Sequence, residues 1–317
     1  MPEPITTGSP AGLLLTGATG FVGQQLQQQL LTQHNFRLTA LVREGTSSRR
    51  SELHPNADQR AIRLTSPGAW NDLLQEYPEQ PLVLMAGSVR GRSYRDFETA
   101  NVDIVKAATT ALSQQSNPPP TLLISSLAAS QPALSHYAAS KFAGEEQLAN
   151  STIPWTILRP TAVYGRGDEE LAGLFRAVRL GLVPRLGPKQ QRLSFIHVSD
   201  LCQAIHAWLR APQACHQQRY SLDDGHPKGY SWAKLASAIA PKKKPLELGV
   251  PRALLSALAR LNLASAFLLR YQPMLSPGKV RELCYPAWLC NNEPFSHATG
   301  WQPSVSLQQG ANDYFAT

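Results

Sequence analysis

Two side chains four residues apart, Tyr137 and Lys141, form the pair in this chain best suited to proton transfer. If a helix begins here, that spacing places the phenol and the ammonium on the same helix face. A nearby cation favours the phenolate, so Lys141 would lower the pKa of the phenol and let Tyr137 donate or accept a proton near neutral pH. An ordinary surface pair on a helix is the alternative. A catalytic pair is favoured because the segment follows a predicted strand, and because the same chain carries a glycine-rich loop.

Two serines, Ser125 and Ser126, end the apolar run that precedes this pair. The carboxyl ends of strands are where open α/β sheets place their ligands. Successive side chains of a strand point to opposite faces, so only one of the two hydroxyls can face a reacting carbonyl, and we predict Ser126. The alternative is that both hydroxyls finish the strand with local backbone hydrogen bonds.

Three glycines, Gly17, Gly20 and Gly23, lie between an apolar run and a helical pattern. The spacing is typical of a loop that binds the pyrophosphate of a dinucleotide. Gly17 permits the tight turn, Gly20 lets the backbone approach the phosphates, and Gly23 lets the new helix pack close to the sheet. The N-terminus of that helix presents free N–H groups to the anion. An ordinary strand-to-helix turn is the alternative, and the flanking strand and helix favour the cofactor loop.

The residue expected to contact the adenosine ribose lies about 20 positions beyond the glycines, at the end of the second strand. Arg43 occupies that position. A carboxylate there would accept hydrogen bonds from an unmodified ribose, whereas a guanidinium favours a 2′-phosphate. We therefore predict NADP as the cofactor, with NAD as the alternative because Glu44 lies beside Arg43. Arg49 and Arg50 would add to the same positive field.

Six apolar runs alternate with helix-compatible stretches, and this alternation predicts a parallel sheet wrapped by helices. The runs are 13–16, 38–42, 61–64, 82–86, 121–125 and 155–158. The expected fold is α/β, a doubly wound parallel sheet (Rossmann fold) with a smaller, mostly helical C-terminal substrate lobe. We place the cofactor-binding core at 1–165 and 194–223, and the substrate lobe at 166–193 and 224–317.

The composition is that of a globular protein, with 317 residues, 43% hydrophobic and 16% charged. An excess of 30 Lys and Arg over 22 Asp and Glu gives a net charge of +8. This charge suits a phosphate-rich ligand or an anionic surface and does not by itself indicate a nucleic-acid partner. The compact basic run 242–244 is typical of a solvated loop. The four cysteines lack the paired spacing of zinc sites, so we predict no metal site.

No apolar run approaches the roughly 20 residues that cross a bilayer. The N-terminal segment lacks the pattern of a secretory signal, so the expected location is cytoplasmic. One segment, 250–274, mixes leucines with arginines in an amphipathic pattern. Helix packing is the favoured interpretation of this segment, and a cover over an apolar substrate pocket and peripheral contact with a membrane surface stay open as alternatives.

Taken in order, these motifs resemble the short-chain dehydrogenase/reductases, and specifically their extended branch of NAD(P)-dependent epimerases, dehydratases and hydroxysteroid-type dehydrogenases. The segments that carry the resemblance are TGATGFVG at 16–23, Asn-Val at 101–102, the serines at 125–126, YAASK at 137–141, LRP at 158–160, VYG at 163–165 and FIHVSDL at 195–201.

The resemblance implies a role for each matching residue. Ser126 would hold the substrate oxygen, Tyr137 would transfer its proton, and Lys141 would bind the nicotinamide ribose. His197 would be structural. Together with Arg43, the expected cofactor-binding residues are Gly17, Thr19, Gly20, Phe21, Val22, Gly23, Ala86, Gly87, Lys141, Arg159 and Pro160.

Departures from the family pattern narrow the expected reaction. Leu127 and Ala128 stand where the dehydratases carry an acidic pair, and Leu193 stands where sugar-nucleotide epimerases commonly place an arginine. The loop between Ser126 and Tyr137 is also shorter than in sugar-nucleotide members. We therefore predict an NADP-dependent oxidoreductase that transfers hydride between nicotinamide and a carbonyl or alcohol of a small or lipid-like substrate.

Two other functions stay open at this point. Arg185, Lys189 and Arg192 lie near the expected pocket and would suit a nucleotide-sugar epimerase. A noncatalytic NADP-binding regulatory protein would need only the glycine loop and Arg43. The resemblance also implies a homodimer formed through helices at about 97–112 and 137–149.

Overall fold

Apolar runs of the sequence become the buried strands of one parallel sheet. The computed structural model describes residues 12–33, 36–45, 52–242 and 244–315. Their strands, in chain order, are β1 (Gly12–Thr16), β2 (Arg37–Arg43), β3 (Asp58–Ile62), β4 (Leu82–Leu84), β5 (Thr121–Ile124), β6 (Trp155–Pro160), β7 (Ala162–Tyr164), β8 (Leu182–Arg185), β9 (Phe195–His197), β10 (Gln218–Leu222) and β11 (Leu246–Gly249).

Helices follow most of these strands. They are α1 (Phe21–Gln33), α2 (Pro67–Glu76), α3 (Tyr94–Glu98), α4 (Ile104–Leu112), α5 (His136–Ala149), α6 (Ala172–Arg179), α7 (Val198–Arg210), α8 (Trp232–Ile239), α9 (Arg252–Leu269), α10 (Pro277–Leu283), α11 (Glu293–Thr299) and α12 (Leu307–Phe315). A π-helical turn, Thr99–Asp103, joins α3 to α4 without a break.

The central sheet has the strand order β10-β6-β5-β4-β1-β2-β3, and every neighbouring pair is parallel. The chain runs outward from β1 to β3, then returns to β4 on the other side of β1. Such a reversal opens a crevice at the carboxyl ends of β1 and β4, where ligands of open α/β sheets bind. The predicted Rossmann fold is confirmed.

Both faces of the sheet are covered, because successive strand side chains point in opposite directions. Leu13 and Leu15 pack into a core cluster that contains residues of α1 and α7. Leu14 points the other way, into a cluster with residues of α2 and α4. The sheet is therefore wrapped by helices on both sides.

Two strands differ from the expectation. β3 runs over Asp58–Ile62 rather than 61–64, and four of its five residues are exposed because it is an edge strand with one neighbour. The seventh strand, β10, was not among the six predicted runs. The predicted segment at 194–198 instead forms β9, which pairs with β7 in a separate two-stranded sheet.

The C-terminal lobe is mostly helical, as predicted, and has its own core. Phe175 of α6, Trp232 of α8 and Leu307 of α12 belong to one cluster. A smaller cluster joins Leu255 and Ala259 of α9 to Val280 of α10. The exact limits proposed for the core and the lobe stay a prediction.

Helix α9 stands apart from the other helices. Its 18 residues have a mean hydropathy of 1.3, and only 17% of them are buried. By length and composition alone it reaches the minimum for crossing a membrane, although the sequence analysis found no run of sufficient length.

Candidate active site

The structure brings Ser126 and Tyr137 together. Ser126 follows β5 and begins a short 3-10 turn, where its hydroxyl accepts a hydrogen bond from the backbone N–H of Ala128 at 3.2 Å. Tyr137 lies in the first turn of α5, which Ser135 caps by accepting from the N–H of Ala138 at 2.9 Å. The Ser126 hydroxyl lies near enough to the Tyr137 phenol to affect the pKa of the phenol. Both residues therefore meet at the carboxyl edge of the sheet.

The neighbouring serine faces the opposite way. Ser125 is buried, and its hydroxyl donates to the carboxylate of Glu145, a fully buried residue of α5. The alternation of strand side chains thus separates the two hydroxyls, as the sequence predicted. Only Ser126 is placed beside the phenol.

The Tyr137 phenol is held in its protonated form. Burial raises its pKa to about 12, the neighbouring Ser126 hydroxyl partly opposes that rise, and the carboxylates of Glu282 and Glu170 add to it. The sequence analysis expected Lys141 to lower this pKa. In the folded chain the desolvation of the phenolate outweighs any such effect.

Lys141 is buried one helical turn along α5, and its ammonium donates to the carbonyl oxygen of Ile124 at 2.8 Å. Burial lowers its pKa to about 8, and Glu145 partly opposes that change. A Cβ atom added at Gly87, in the loop after β4, would lie 3.6 Å from the ammonium nitrogen. The lysine head thus lies between the end of β5 and the loop after β4.

Asn101, which lies on the π-helical turn, connects the loop after β4 to α5 through its side chain. Its side chain accepts from the N–H of Ser88 at 3.0 Å, and it donates to the carbonyl of Ser88 at 3.0 Å and to the hydroxyl of Ser140 at 2.9 Å. The loop after β4 is thereby fixed to α5. The sequence analysis used Asn101 only as a family motif, although π-helical turns are frequent at functional sites.

The glycine loop has the tight geometry that its spacing predicts. Gly17 has a φ of 74°, a conformation that favours glycine. A Cβ atom at Gly23 would lie 2.2 Å from the carbonyl oxygen of Gly17, so α1 can approach the loop only without a side chain there. Gly20 is exposed at the start of α1. The exposed backbone and the helix N-terminus fit a dinucleotide pyrophosphate.

Two polar residues that the sequence analysis missed hold this loop in place. Thr16 accepts hydrogen bonds from the N–H groups of Met85 and Ala86 at 2.9 and 3.0 Å, which ties β1 to the loop after β4. Gln27 is buried and donates to the carbonyl of Ala18 at 2.8 Å. Thr16 begins the motif at 16–23, but its bonds to Met85 and Ala86 depend on backbone groups about 70 positions along the chain, so the sequence did not predict them.

Arg43 ends β2 with an exposed side chain. The neighbouring Glu44 pairs with Arg63 at 3.3 Å and is thus already neutralised by another cation. Within the described ranges Arg43 has no ion pair of its own. This arrangement fits a guanidinium that receives an anionic group, while Arg49 and Arg50 lie outside the described residues.

The remaining predicted cofactor residues have mixed surroundings. Phe21 and Val22 are partly buried and pack against the core cluster under α1. Arg159 pairs with Glu145, with a nitrogen-to-oxygen distance of 2.5 Å, so a direct cofactor contact would have to displace that pair. Thr19 is partly exposed in the glycine loop, and Pro160 is buried at the end of β6.

A cavity of about 260 Å³ opens beside the Tyr137 phenol. It lies between the loop after β4, the start of α5, and the helices α9 and α10. Its apolar lining includes Val89, Phe97, Leu263, Pro273 and Met274. Helix α10 closes one side, because its buried Glu282 accepts a hydrogen bond from the Ser135 hydroxyl that caps α5.

The three cations proposed for a nucleotide sugar do not line this cavity. Arg185 pairs with Glu247 at 2.6 Å. Arg192 donates to the carbonyls of Gln190 and Gln191 at 3.1 Å, and Lys189 is exposed. The cations of the cavity are Arg92, Lys279 and Arg281.

His197 has the surroundings of a structural residue. Its Nδ1 lies 2.6 Å from the Ser199 hydroxyl, and its ring packs edge-on against Tyr164 at 5.2 Å. Burial lowers the pKa of the imidazole. Across the part of the chain that the structure describes, no cluster of three or more His, Cys, Asp or Glu could hold a metal ion.

Comparison with known proteins assigns the family. The model of the NAD dependent epimerase/dehydratase family matches residues 13–222. The chain belongs to this family. Ceramide reductase of Caulobacter vibrioides is 31% identical over 302 residues, which cover 92% of this chain and 90% of that protein. UDP-glucose 4-epimerase of Vibrio cholerae is 26% identical over 275 residues, which cover 76% of this chain and 79% of that protein.

Among solved structures, the NAD complex of the Bordetella bronchiseptica enzyme WbmG has a TM-score of 0.69 to this chain at 16% identity. The match covers 98% of this chain and 94% of that enzyme, and at this identity it supports the fold alone. This member of the epimerase/dehydratase family is therefore an NAD(P)-dependent oxidoreductase or epimerase. The noncatalytic alternative is not retained.

Proposed function

We propose that this chain is an NADP-dependent reductase that acts on a carbonyl group of a lipid-like substrate. The observation that carries the proposal is the placement of Tyr137 near Ser126, at a cavity whose lining combines apolar side chains with Arg92, Lys279, Arg281 and Glu282. Similarity to a ceramide reductase over 92% of the chain supports the same reaction class and substrate class. The relative's name concerns a lipid, and the apolar side chains of the cavity lining offer contacts to a lipid chain.

The protonation state of Tyr137 favours reduction of a carbonyl over oxidation of an alcohol. A phenol whose pKa is raised to about 12 carries its proton at neutral pH and can donate it to a carbonyl oxygen that gains negative charge. Ser126 would donate a second hydrogen bond to that oxygen and hold it in place. In the reverse direction the same phenol would first have to lose its proton.

The residues that would hold the nicotinamide dinucleotide lie along the carboxyl edge of the sheet. The glycine loop 17–23 would receive the pyrophosphate, Arg43 the 2′-phosphate, and Lys141 with Gly87 the nicotinamide ribose. A reduced nicotinamide bound there would supply the hydride to the carbonyl carbon. Asn101 and Thr16 fix the loop after β4, so this edge is ordered before a ligand arrives.

The substitution Tyr137→Phe tests the proposed reaction. It removes the proton donor and keeps the ring, so turnover should fall by about 10²- to 10⁴-fold. The assay is oxidation of NADPH with a long-chain ketone in detergent micelles, followed by absorbance. Binding of NADPH, measured by fluorescence titration, should be retained. The matched control is Tyr77→Phe at the end of α2, which lies outside the cavity and should turn over normally. Normal turnover by Tyr137→Phe would refute the assignment.

The substitution Arg43→Ser tests the cofactor assignment. Loss of a guanidinium that binds a 2′-phosphate should weaken the binding of NADPH by about tenfold or more and leave the binding of NADH nearly unchanged. Arg63→Ser removes a cation of the same region that pairs with Glu44 and serves as the control. Equal effects of Arg43→Ser on the two cofactors would assign the enzyme to NAD instead.

A nucleotide-sugar epimerase is the second candidate, and similarity to the UDP-glucose 4-epimerase of Vibrio cholerae favours it. The positions of Arg185 and Arg192 count against it, since both are engaged away from the cavity. Conversion of UDP-glucose to its 4-epimer without net consumption of NADPH would decide for this candidate. Absence of such conversion, together with reduction of a lipid ketone, would decide against it.

A further inference from the structure

Helix α9 presents an apolar stripe to solvent. Leu254, Leu258, Leu261 and Leu268 are all exposed, with Leu261 at 66% and Leu268 at 82%. Their spacing of four, three and seven residues places them on one helix face. Leu255 and Ala259, two of the three buried residues of α9, lie on the other face and belong to the small cluster with α10. The leucines of the stripe belong to none of the core clusters of the described residues.

The charges around this stripe are of one sign. From 248 to 281 the chain carries five Lys and Arg residues and no Asp or Glu. Arg252, Arg260 and Arg270 lie on or directly after α9, and all three are exposed. A second copy of the same helix would bring like charges together, which opposes self-association. An anionic lipid surface offers the complementary charge together with an apolar layer.

The stripe adjoins the catalytic cavity. Leu263 of α9 and Met274, in the segment after α9, line the cavity that holds the Tyr137 phenol. The exposed Phe267 of α9 contacts Arg92, another lining residue, whose guanidinium carbon lies 5.7 Å from the centre of the ring. An apolar surface laid against α9 would therefore lie next to this cavity.

We propose that the outward face of α9 binds an anionic membrane surface, with the helix axis in the plane of the interface. The helix lies on the membrane and does not cross it. A helix of 18 residues measures about 27 Å, at the lower limit for the hydrocarbon core, and a crossing would place the charge of Arg260 near the middle of that core. Leu255 and Ala259 also hold the helix against α10. The docking of α9 on a membrane does not depend on the proposed function. Entry of a lipid substrate from the membrane does depend on that function.

Flotation with lipid vesicles tests the docking. The purified full chain is mixed with vesicles of phosphatidylcholine, with or without phosphatidylglycerol, and the floating fraction is measured. The full chain should float with the anionic vesicles, and added salt should weaken the binding. The double variant Leu258→Ser/Leu261→Ser should lose about tenfold or more in affinity. Leu180→Ser replaces a leucine that is 73% exposed outside α9, and this control should bind normally.

Three further results separate the alternatives. Thermal melting of the double variant should match that of the unchanged chain, because both side chains are exposed. If the double variant melts early, Arg252→Ala/Arg260→Ala provides a second test and should weaken flotation with anionic vesicles. A molecular mass in solution that falls from dimer to monomer in the double variant would overturn the proposal in favour of a second copy. Failure of the unchanged chain to float with anionic vesicles would also overturn it.

The same variants distinguish docking from the proposed reaction. Leu258 and Leu261 do not line the cavity, so the double variant should keep its turnover with a short water-soluble ketone. Its turnover should fall with a long-chain ketone embedded in anionic vesicles. A chain that floats normally but reduces neither substrate would refute the proposed function and leave the docking intact.

Discussion

Helices α4 and α9 have similar apolar content and opposite surroundings. Of the nine residues of α4 seven are buried, whereas of the eighteen residues of α9 three are buried. Helix α4 packs in one cluster with the sheet and α2, whereas α9 joins a small cluster with α10 through Leu255 and Ala259. The apolar content of a helix thus predicts that one of its faces is buried against another surface. It does not predict whether that surface belongs to the same chain.

Replacing a leucine by alanine in each of these two helices should give the largest difference in stability. Leu112 is fully buried in α4, and Leu112→Ala should cost about 2–5 kcal/mol of unfolding free energy through lost burial and the cavity left behind. Leu258→Ala in α9 should change the unfolding free energy by no more than about 0.5 kcal/mol, because the side chain is exposed. Urea unfolding of both variants without lipid measures the difference. Equal losses would show that α9 is covered in solution.

Two glycine substitutions extend the comparison to a tightly packed position and an open position on two other helices. A Cβ atom at Gly144 of α5 would lie 2.1 Å from the carbonyl oxygen of Asn101, so Gly144→Ala should cost about 1–3 kcal/mol and disturb the π-helical turn. Gly173 of α6 has no heavy atom within 4 Å of its added Cβ. Gly173→Ala should therefore stabilise the chain, by up to about 1 kcal/mol through helix propensity. Chemical denaturation distinguishes the two, and a neutral Gly144→Ala would contradict the described contact.

A smaller effect is expected when a cation is replaced. Replacing a buried cation should change the stability in a pH-dependent way, and replacing an exposed one should not. Burial lowers the pKa of Lys141 from 10.5 to about 8, so between these values the unfolded chain binds a proton that the folded chain has released. Stability contributed by this group therefore rises with pH through that window and is lost as pH falls through 8. Lys141→Met should raise the melting temperature at pH 7, and its advantage should shrink towards pH 10.5.

Arg260→Met on the exposed side of α9 is the control for this comparison. It should leave the melting temperature nearly unchanged at both pH values, because an exposed guanidinium loses little hydration on folding. A melting temperature of Lys141→Met below that of the unchanged chain at pH 7 would show that the bond to the Ile124 carbonyl outweighs the cost of burying the ammonium.

Local sequence patterns predicted the central sheet and most of the candidate site. The glycine spacing required the turn at Gly17 and the close packing at Gly23, and both are present. Strand alternation selected Ser126 over Ser125, and the structure separates their hydroxyls in that way. These features depend on a few neighbouring residues and on backbone geometry, so a sequence pattern is sufficient to predict them.

Other features needed contacts between distant parts of the chain. The bridge made by Asn101, the seventh strand β10, and the upward shift of the Tyr137 pKa depend on groups brought together by folding. A sequence pattern records the type of a side chain and not its depth of burial. Desolvation, and with it the sign of the Tyr137 pKa shift, was therefore decided by the tertiary structure.

The sequence by itself determined that a nucleotide-binding sheet would form and which hydroxyl, phenol and ammonium would gather at its edge. Only the tertiary structure decided that α9 would keep its leucines outside. The physical reason is that an amphipathic period specifies an apolar face, whereas the surface that covers this face depends on how separate elements pack. In this chain that packing leaves the apolar face of α9 exposed next to the cavity that Tyr137 lines.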